Sequence, residues 1–302
     1  MADFPRPESI AFHGMPAIRW RSRDGASAVA TLQGAHLVSW IPAGGAECLY
    51  VSERSPFEAG RPIRGGIPIV FPQFADRGQL AQHGFARTRA WTFGDAVESE
   101  EGVRVSFALD SSAETRALWP HAFGLELAAT IGGQRLDVEL RVANRGDADF
   151  TFTAALHTYL RVSDAAAVRL HGLRGKRYLT RGEKVASVEA RVAVGAEEPI
   201  DRVYFATPPA TQLEDGGRTL VIGQRGFTDT VVWNPGRERT AQMADMPPDG
   251  YRRMLCVEAA AIEPAVVLLP GGAWSGGQDL KTGAWPGPGP GLAPVSTSGA
   301  GA

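Results

Sequence analysis

The chain has 302 residues, 44% apolar and 21% charged, so a sizeable core is available and global disorder is excluded. Its formal net charge is −2, which argues against a general binder of nucleic acid or acidic membrane, because such proteins carry a basic excess. A local basic pocket remains compatible with that balance.

Two cysteines, Cys48 and Cys256, show no CxxC or Cys/His spacing. They read as buried, reduced thiols, not as a zinc site or a disulfide framework. The start, MADFPRPESI, has no cationic stretch followed by an apolar run, and no apolar run approaches the length of a bilayer span. The expectation is a soluble, cytoplasmic protein.

In chain order, short strands are predicted over 28–32 and 37–40, joined by a turn at 33–36. A second turn at 42–45 leads to a strand over 48–51. Residues 64–91 read as an irregular segment. Strands at 91–93 and 103–109 flank an acidic turn at 98–102, and residues 111–120 carry a short helical signal stopped by Pro120. Alternation over 124–131 and 136–143 around Gly132-Gly133 predicts a hairpin. A long strand is expected over 150–162. Further short strands fall near 168–170, 202–205, 219–222, 230–233, 254–260, 266–269 and 274–280. Many short strands with Gly, Pro and Asn turns mean an all-β sandwich or barrel. No linker divides the body, so residues 1–282 read as one domain. Residues 283–302 are rich in Gly, Pro, Ala and Ser and read as an extended or disordered tail.

The segment 64–91, RGGIPIVFPQFADRGQLAQHGFARTRAW, is the candidate site. Prolines 62, 68 and 72 forbid helix and remove ladder donors. Gly65, Gly66 and Gly84 permit conformations that other residues resist. A lone arginine is ordinarily a solvated surface charge; Arg64, Gln82, His83 and Arg87 together in one Gly/Pro-shaped segment read as a site. His157 lies in the apolar stretch ALHTY, where a histidine is either a buried, hydrogen-bonded core residue or a catalytic group. Glu258, in CVEAA, must pair with a cation, end a strand or line a cleft. Burial would raise its pKa, which suits a general base. Asp201 precedes a strand and reads as a turn residue, Asp229 as a turn acid, and Trp233 as core. Walker, GxGxxG and GxSxG patterns are absent. His83, His157 and Glu258 share no HxH or HExxH spacing, so a cupin-like metal site is the weaker alternative.

Taken together, RGGIPIVFPQF (64–74), QHGFAR (82–87), ALHTYLRV (155–162), IDRVY (200–204), DTVVWNPG (229–236) and CVEAA (256–260) resemble the aldose 1-epimerase (galactose mutarotase) superfamily. Their order and spread, over about residues 15 to 281, match its glucose-6-phosphate 1-epimerase branch. The resemblance implies a β-supersandwich of two large antiparallel sheets and interconversion of the anomers of a hexose 6-phosphate. It implies His157 and Glu258 as catalytic residues, and Arg64, Gln82, Arg87 and Asp201 as substrate-binding residues. His83 matches a family histidine near the sugar. Arg77, in the short stretch 75–81, is a further candidate for the phosphate. No cofactor or metal is expected, and no partner beyond a small-molecule sugar phosphate: no nucleic acid, no membrane, a monomer. Two other readings stand beside this one, a non-catalytic carbohydrate-binding β-sandwich and an aldose 1-epimerase acting on free sugars.

Overall fold

Period-two alternation dominates the chain, and the architecture in the computed structural model, which describes residues 6–283, follows from it. Strands Phe123–Gly132 and Arg135–Asn144 pair antiparallel from Phe123↔Asn144 to Gly132↔Arg135. The buried residues of the second strand are mainly Leu136, Val138, Leu140 and Val142, the face that alternation marks. These strands belong to a nine-stranded antiparallel sheet that also holds Gly102–Asp110, Arg218–Arg225 and Ala273–Thr282. An eight-stranded antiparallel sheet is centred on Asp229–Asn234, Met254–Leu268 and Phe150–Leu156. A third sheet of four strands runs from Glu8–Phe12 to His36–Ile41.

The two large sheets share one buried cluster, in which Leu127, Val138 and Leu140 of one meet Phe152, Val257 and Ala259 of the other. Trp20 and Trp40 of the small sheet close the same core. This is the expected β-supersandwich, with the four-stranded sheet added. Strand Met254–Leu268 is buried on both faces over its first nine residues, which is why its sequence reads as a continuous apolar run. Val257, Ala259 and Ala261 face the common core. Ala260 and Ile262 join a separate cluster on the opposite face, and Glu258 alternates with them.

Several elements differ from the sequence reading. Residues 48–51 make only isolated bridges, Leu49↔Leu160 and Val51↔Gly65. Residues 254–260 and 266–269 are one strand, Met254–Leu268, despite Pro264. A register shift opposite Phe152 and Ala154 absorbs the proline, as bulges do. The strand over 150–162 is broken into Phe150–Leu156 and Tyr159–Arg161. Asp229 is not a turn acid. It is buried in its strand, and its Oδ2 accepts the backbone N–H groups of Ile262 and Glu263, each at 2.9 Å. The short helix is Ala113–Leu118, held by a capping box between Ser112 and Thr115. A second helix, Gly236–Ala241, was not signalled by periodicity. The Gly/Pro-rich stretch from residue 284 lies outside the described residues. No helix of the described residues is long and apolar enough to cross a membrane.

Candidate active site

The floor of the site is set by strand register. Met254–Leu268 pairs with Asp229–Asn234 so that Val231 faces Glu258 and Trp233 faces Cys256. On its other side Leu156 pairs with Ala259 and Tyr159 with Cys256. The register carries straight through the break between these strands, so His157 stands across from Glu258. One strand further out, Val203 pairs with Val231 and Asp201 with Trp233. Two cross-strand rows result on the face away from the common core: Val203, Val231, Glu258, His157, and Asp201, Trp233, Cys256, Tyr159. Neighbours along such rows are in side-chain contact range.

The break at His157 has a local cause. The 64–91 segment runs along that edge and takes over the hydrogen bonding. His157 N–H donates to Pro68 O at 3.0 Å and Tyr159 N–H to Gly66 O at 2.9 Å. The segment's path needs its glycines. A Cβ on Gly84, at φ +68°, would lie 2.1 Å from Phe71 O, and the parallel bridge Phe71↔Gly84 depends on that approach. His83, just before it, also has a positive φ of 67°. Its Nδ1 accepts the Ala75 N–H at 3.2 Å, so its proton sits on Nε2.

Burial fixes the charge states of the central pair. His157 Nδ1 and Glu258 Oε1 are 3.2 Å apart, without the alignment of a hydrogen bond, and His157 Nδ1 and Glu258 Oε2 have no hydrogen-bond partner. Burial holds the Glu258 carboxyl well above the usual carboxylate range, and the charge of Asp201 adds to this. Burial likewise holds the His157 imidazole well below its ordinary value, helped by His83, Arg87 and Arg64. Both shifts favour the neutral acid beside a neutral imidazole over an ion pair. The His157 ring stacks on Tyr159, with centroids 4.8 Å apart and planes at 9°.

The two arginines of the segment differ. Arg64 donates to Tyr159 Oη at 3.0 Å and to Asp245 Oδ2 at 3.1 Å through Nε and 2.9 Å through Nη2. Burial disfavours its charge, but Tyr159 and Asp245 more than offset that. Arg87 donates to the Gln82 carbonyl at 2.8 Å, and its buried Nε has no partner. Burial, with Arg64 nearby, pushes its pKa down to about 10. Burial and then the charges of Arg87, Arg64 and Arg181 push His83 down to about 3, so it is a neutral donor.

All seven residues singled out from the sequence line one cleft of about 590 Å³: Arg64, Gln82, His83, Arg87, His157, Asp201 and Glu258. Arg77 lies exposed on its rim. Asp201 is not a turn residue; it is the second residue of strand Ile200–Tyr204. Its Oδ2 lies 3.7 Å from Arg239 and 4.0 Å from Arg181, and burial raises its pKa against their pull. Trp233 is core on one side and cleft wall on the other. Asp245, Arg181 and Arg239 were missed because they come from loops and a helix far along the chain, with no motif around them. The lining holds six arginines against five carboxyl groups, one of them Glu258, whose burial disfavours its charge. A chain of net charge −2 thus keeps a cationic cleft.

Comparison with known proteins gives a consistent result. A family model described as "Aldose 1-epimerase" matches residues 16–281. A protein of Escherichia coli (strain K12) named "Putative glucose-6-phosphate 1-epimerase" is 38% identical over 237 residues, covering 76% of this chain and 78% of that protein. One of Cenchrus ciliaris with the same name is 36% identical over 256 residues, covering 81% and 78%. The crystal structure of "a putative mutarotase (YeaD) from Salmonella typhimurium" is similar with a TM-score of 0.85 and 31% identity, over 93% of this chain and 94% of that one.

Proposed function

The chain belongs to the aldose 1-epimerase family, and from that premise we propose that it interconverts the α and β anomers of a hexose 6-phosphate, with glucose 6-phosphate as the leading substrate. The observation that carries this reading is the pair His157 and Glu258, 3.2 Å apart, at the base of a cleft rich in arginine.

Mutarotation needs a proton taken from the C1 hydroxyl and one delivered to the ring oxygen. The pair holds one proton between its two members. Burial favours the form in which Glu258 carries it. Transfer from Glu258 to His157 gives a carboxylate and an imidazolium without exchange with solvent. In that form Glu258 is the general base toward the C1 hydroxyl and His157 the general acid toward the ring oxygen. The C1–O5 bond opens, the aldehyde turns about C1–C2, and the ring closes on the other face with the roles reversed. Proton count and charge are the same before and after. Each group contributes about 10²–10⁴-fold. The scheme calls on no metal or redox group.

The phosphate carries about −1.5 to −2 charges near neutral pH. Arg87, whose charge no carboxylate of the described residues neutralises at ion-pair distance, is the main partner for it, and Arg64 the second. Gln82, the neutral donor His83 and Asp201 serve the sugar hydroxyls. Residues 1–282 act as one catalytic unit, in the cytoplasm and as a monomer. A passive carbohydrate-binding module has no use for two buried proton-transfer groups, which weighs against that alternative.

Saturation-transfer NMR of anomer exchange tests the proposal, with glucose 6-phosphate and free glucose run side by side. Faster exchange for the phosphate ester, and much less for glucose, is expected. Equal acceleration of both would keep the acid–base pair but remove the phosphate specificity. No acceleration of either by folded protein would leave the binding module as the better reading.

A further inference from the structure

Resting on that reading of the pair, we propose that His157, Cys256 and Glu258 form a binding site for a soft divalent cation of the Zn²⁺ class, and that such an ion switches the enzyme off. The three side chains offer an imidazole nitrogen, a sulfur and a carboxylate oxygen, and these ligand atoms all lie within 4.8 Å of one another. The register creates the group. Cys256 and Glu258 are two apart on one strand and share its face, and His157 stands opposite Glu258. The sequence alone had suggested His83 as the third ligand; the fold brings Cys256 there instead.

The His157–Glu258 pair is spaced for a small tetrahedral ion, and the Cys256 sulfur, within 4.8 Å of both, completes the set by closing in on it. Two ligands each about 2.0–2.1 Å from a tetrahedral zinc are about 3.3 Å apart, and His157 Nδ1 and Glu258 Oε1 are 3.2 Å apart. The unmet bonding capacity lies at the same spot. His157 Nδ1 and Glu258 Oε2 are buried without a hydrogen-bond partner, on residues only 7% and 1% exposed. Three protein ligands leave a fourth position, and two of the three, His157 and Glu258, line the cleft. Mg²⁺ and Ca²⁺ do not fit, because they require about six or more oxygen ligands. A sulfur with a nitrogen selects a softer ion. Binding takes Cys256 as thiolate and Glu258 as carboxylate, so any proton these groups carry leaves to solvent. It leaves neither His157 nor Glu258 free to exchange protons with a sugar.

The test is a Co²⁺ titration of the whole protein, with Zn²⁺ as competitor, and anomer exchange measured with and without Zn²⁺. One equivalent of Co²⁺ should bind with a thiolate-to-cobalt charge-transfer absorption. Zn²⁺ should displace it and stop exchange, and a chelator should restore both. Cys256→Ser should keep exchange and lose affinity for the ion by at least about 100-fold. Cys256→Ala serves equally if a buried hydroxyl impairs folding. Cys48→Ser, at the other buried thiol, should change neither. A cobalt complex without the thiolate band, or a Cys256→Ser protein as sensitive to Zn²⁺ as wild type, would overturn the site. If wild-type protein accelerates no anomer exchange, the mutarotase reading fails, while the cobalt titration still decides whether the ion binds.

Discussion

Replacing Arg87 by alanine separates the roles of the cleft arginines. Arg87 donates to the Gln82 carbonyl, and its buried Nε has no protein partner. The fall of its pKa to about 10 means that holding the charge there costs on the order of 3 kcal/mol. On the proposed reading, a phosphate with about −1.5 to −2 charges meets that guanidinium through two N–H donors. Removing one partner of such a desolvated pair costs about 2–4 kcal/mol. So kcat/KM for glucose 6-phosphate should fall about 30- to 1000-fold, mostly through KM. Exchange of free glucose should not fall, because no phosphate is there to lose its partner, and it should rise to the extent that the Arg87 charge disfavours a proton on His157. The empty variant should melt no lower than wild type, since an uncompensated charge has been removed. Arg64→Ala should behave differently. It breaks bonds to Asp245 and Tyr159 and should lower stability by about 1.5–3 kcal/mol. Saturation-transfer kinetics on both sugars, with thermal melts, read all of this. Equal losses on the two sugars, or an Arg87→Ala protein that melts several degrees lower, would refute the reasoning.

Glu258→Gln and His157→Asn should each lower kcat by about 10²–10⁴-fold with far-UV circular dichroism unchanged; near-wild-type turnover in either would remove that residue from the chemistry. The pH profile of kcat should be flat through the ordinary histidine range, because burial pushes His157 down and Glu258 up and the singly protonated pair spans the interval between them. A limb centred near pH 6.5 would mean that His157 titrates as if in water. His36 is fully buried, and its pKa is held at about 4, so below pH 6.5 the unfolded chain binds a proton that the folded chain refuses. Its contribution is therefore whole above pH 6.5 and is lost as pH falls toward 4, on the order of 3 kcal/mol in all. Urea midpoints of wild type and His36→Asn at pH 7 and pH 4.5 check this; a difference that stays constant with pH would refute it.

The strand content was legible because alternation is a local signal. Leu136, Val138, Leu140 and Val142 announce one buried face without any knowledge of the partner strand. Short edge strands such as Ser187–Val188 were illegible because both residues are exposed and the pairing partner alone defines them. The join of 254–260 to 266–269 was hidden by Pro264, whose cost a bulge opposite Phe152 and Ala154 absorbs. The candidate site was half legible. Arg64 and Arg87 stood out because Gly and Pro shape their segment, and Glu258 because a carboxylate in an apolar strand needs a reason. That Glu258 stands across from His157 is a fact of register between segments about 100 residues apart, and no local pattern encodes it. Asp245 shows the same limit. It decides that Arg64 is neutralised and Arg87 is not, yet it sits in a loop 181 residues from Arg64.

On the proposed mechanism, the charges of this cleft also connect phosphate recognition to the chemical step. Arg87 and Arg64 both disfavour a proton on His157 and so favour the form of the pair with the proton on Glu258. A phosphate bound there as proposed would offset both cations and lift that penalty. The proton then moves to His157 at lower cost, which produces the base and the acid that ring opening requires. Phosphate binding should therefore raise kcat as well as lower KM, the pattern expected when a remote group's binding energy is used at the reacting centre. The experiment is to give the enzyme the two halves of its substrate separately, free glucose with and without phosphite dianion. Phosphite should accelerate exchange of glucose in wild type, saturably, and should do nothing in Arg87→Ala. Phosphite that binds but leaves the glucose rate unchanged would show that the arginines anchor the substrate without acting on the His157–Glu258 proton.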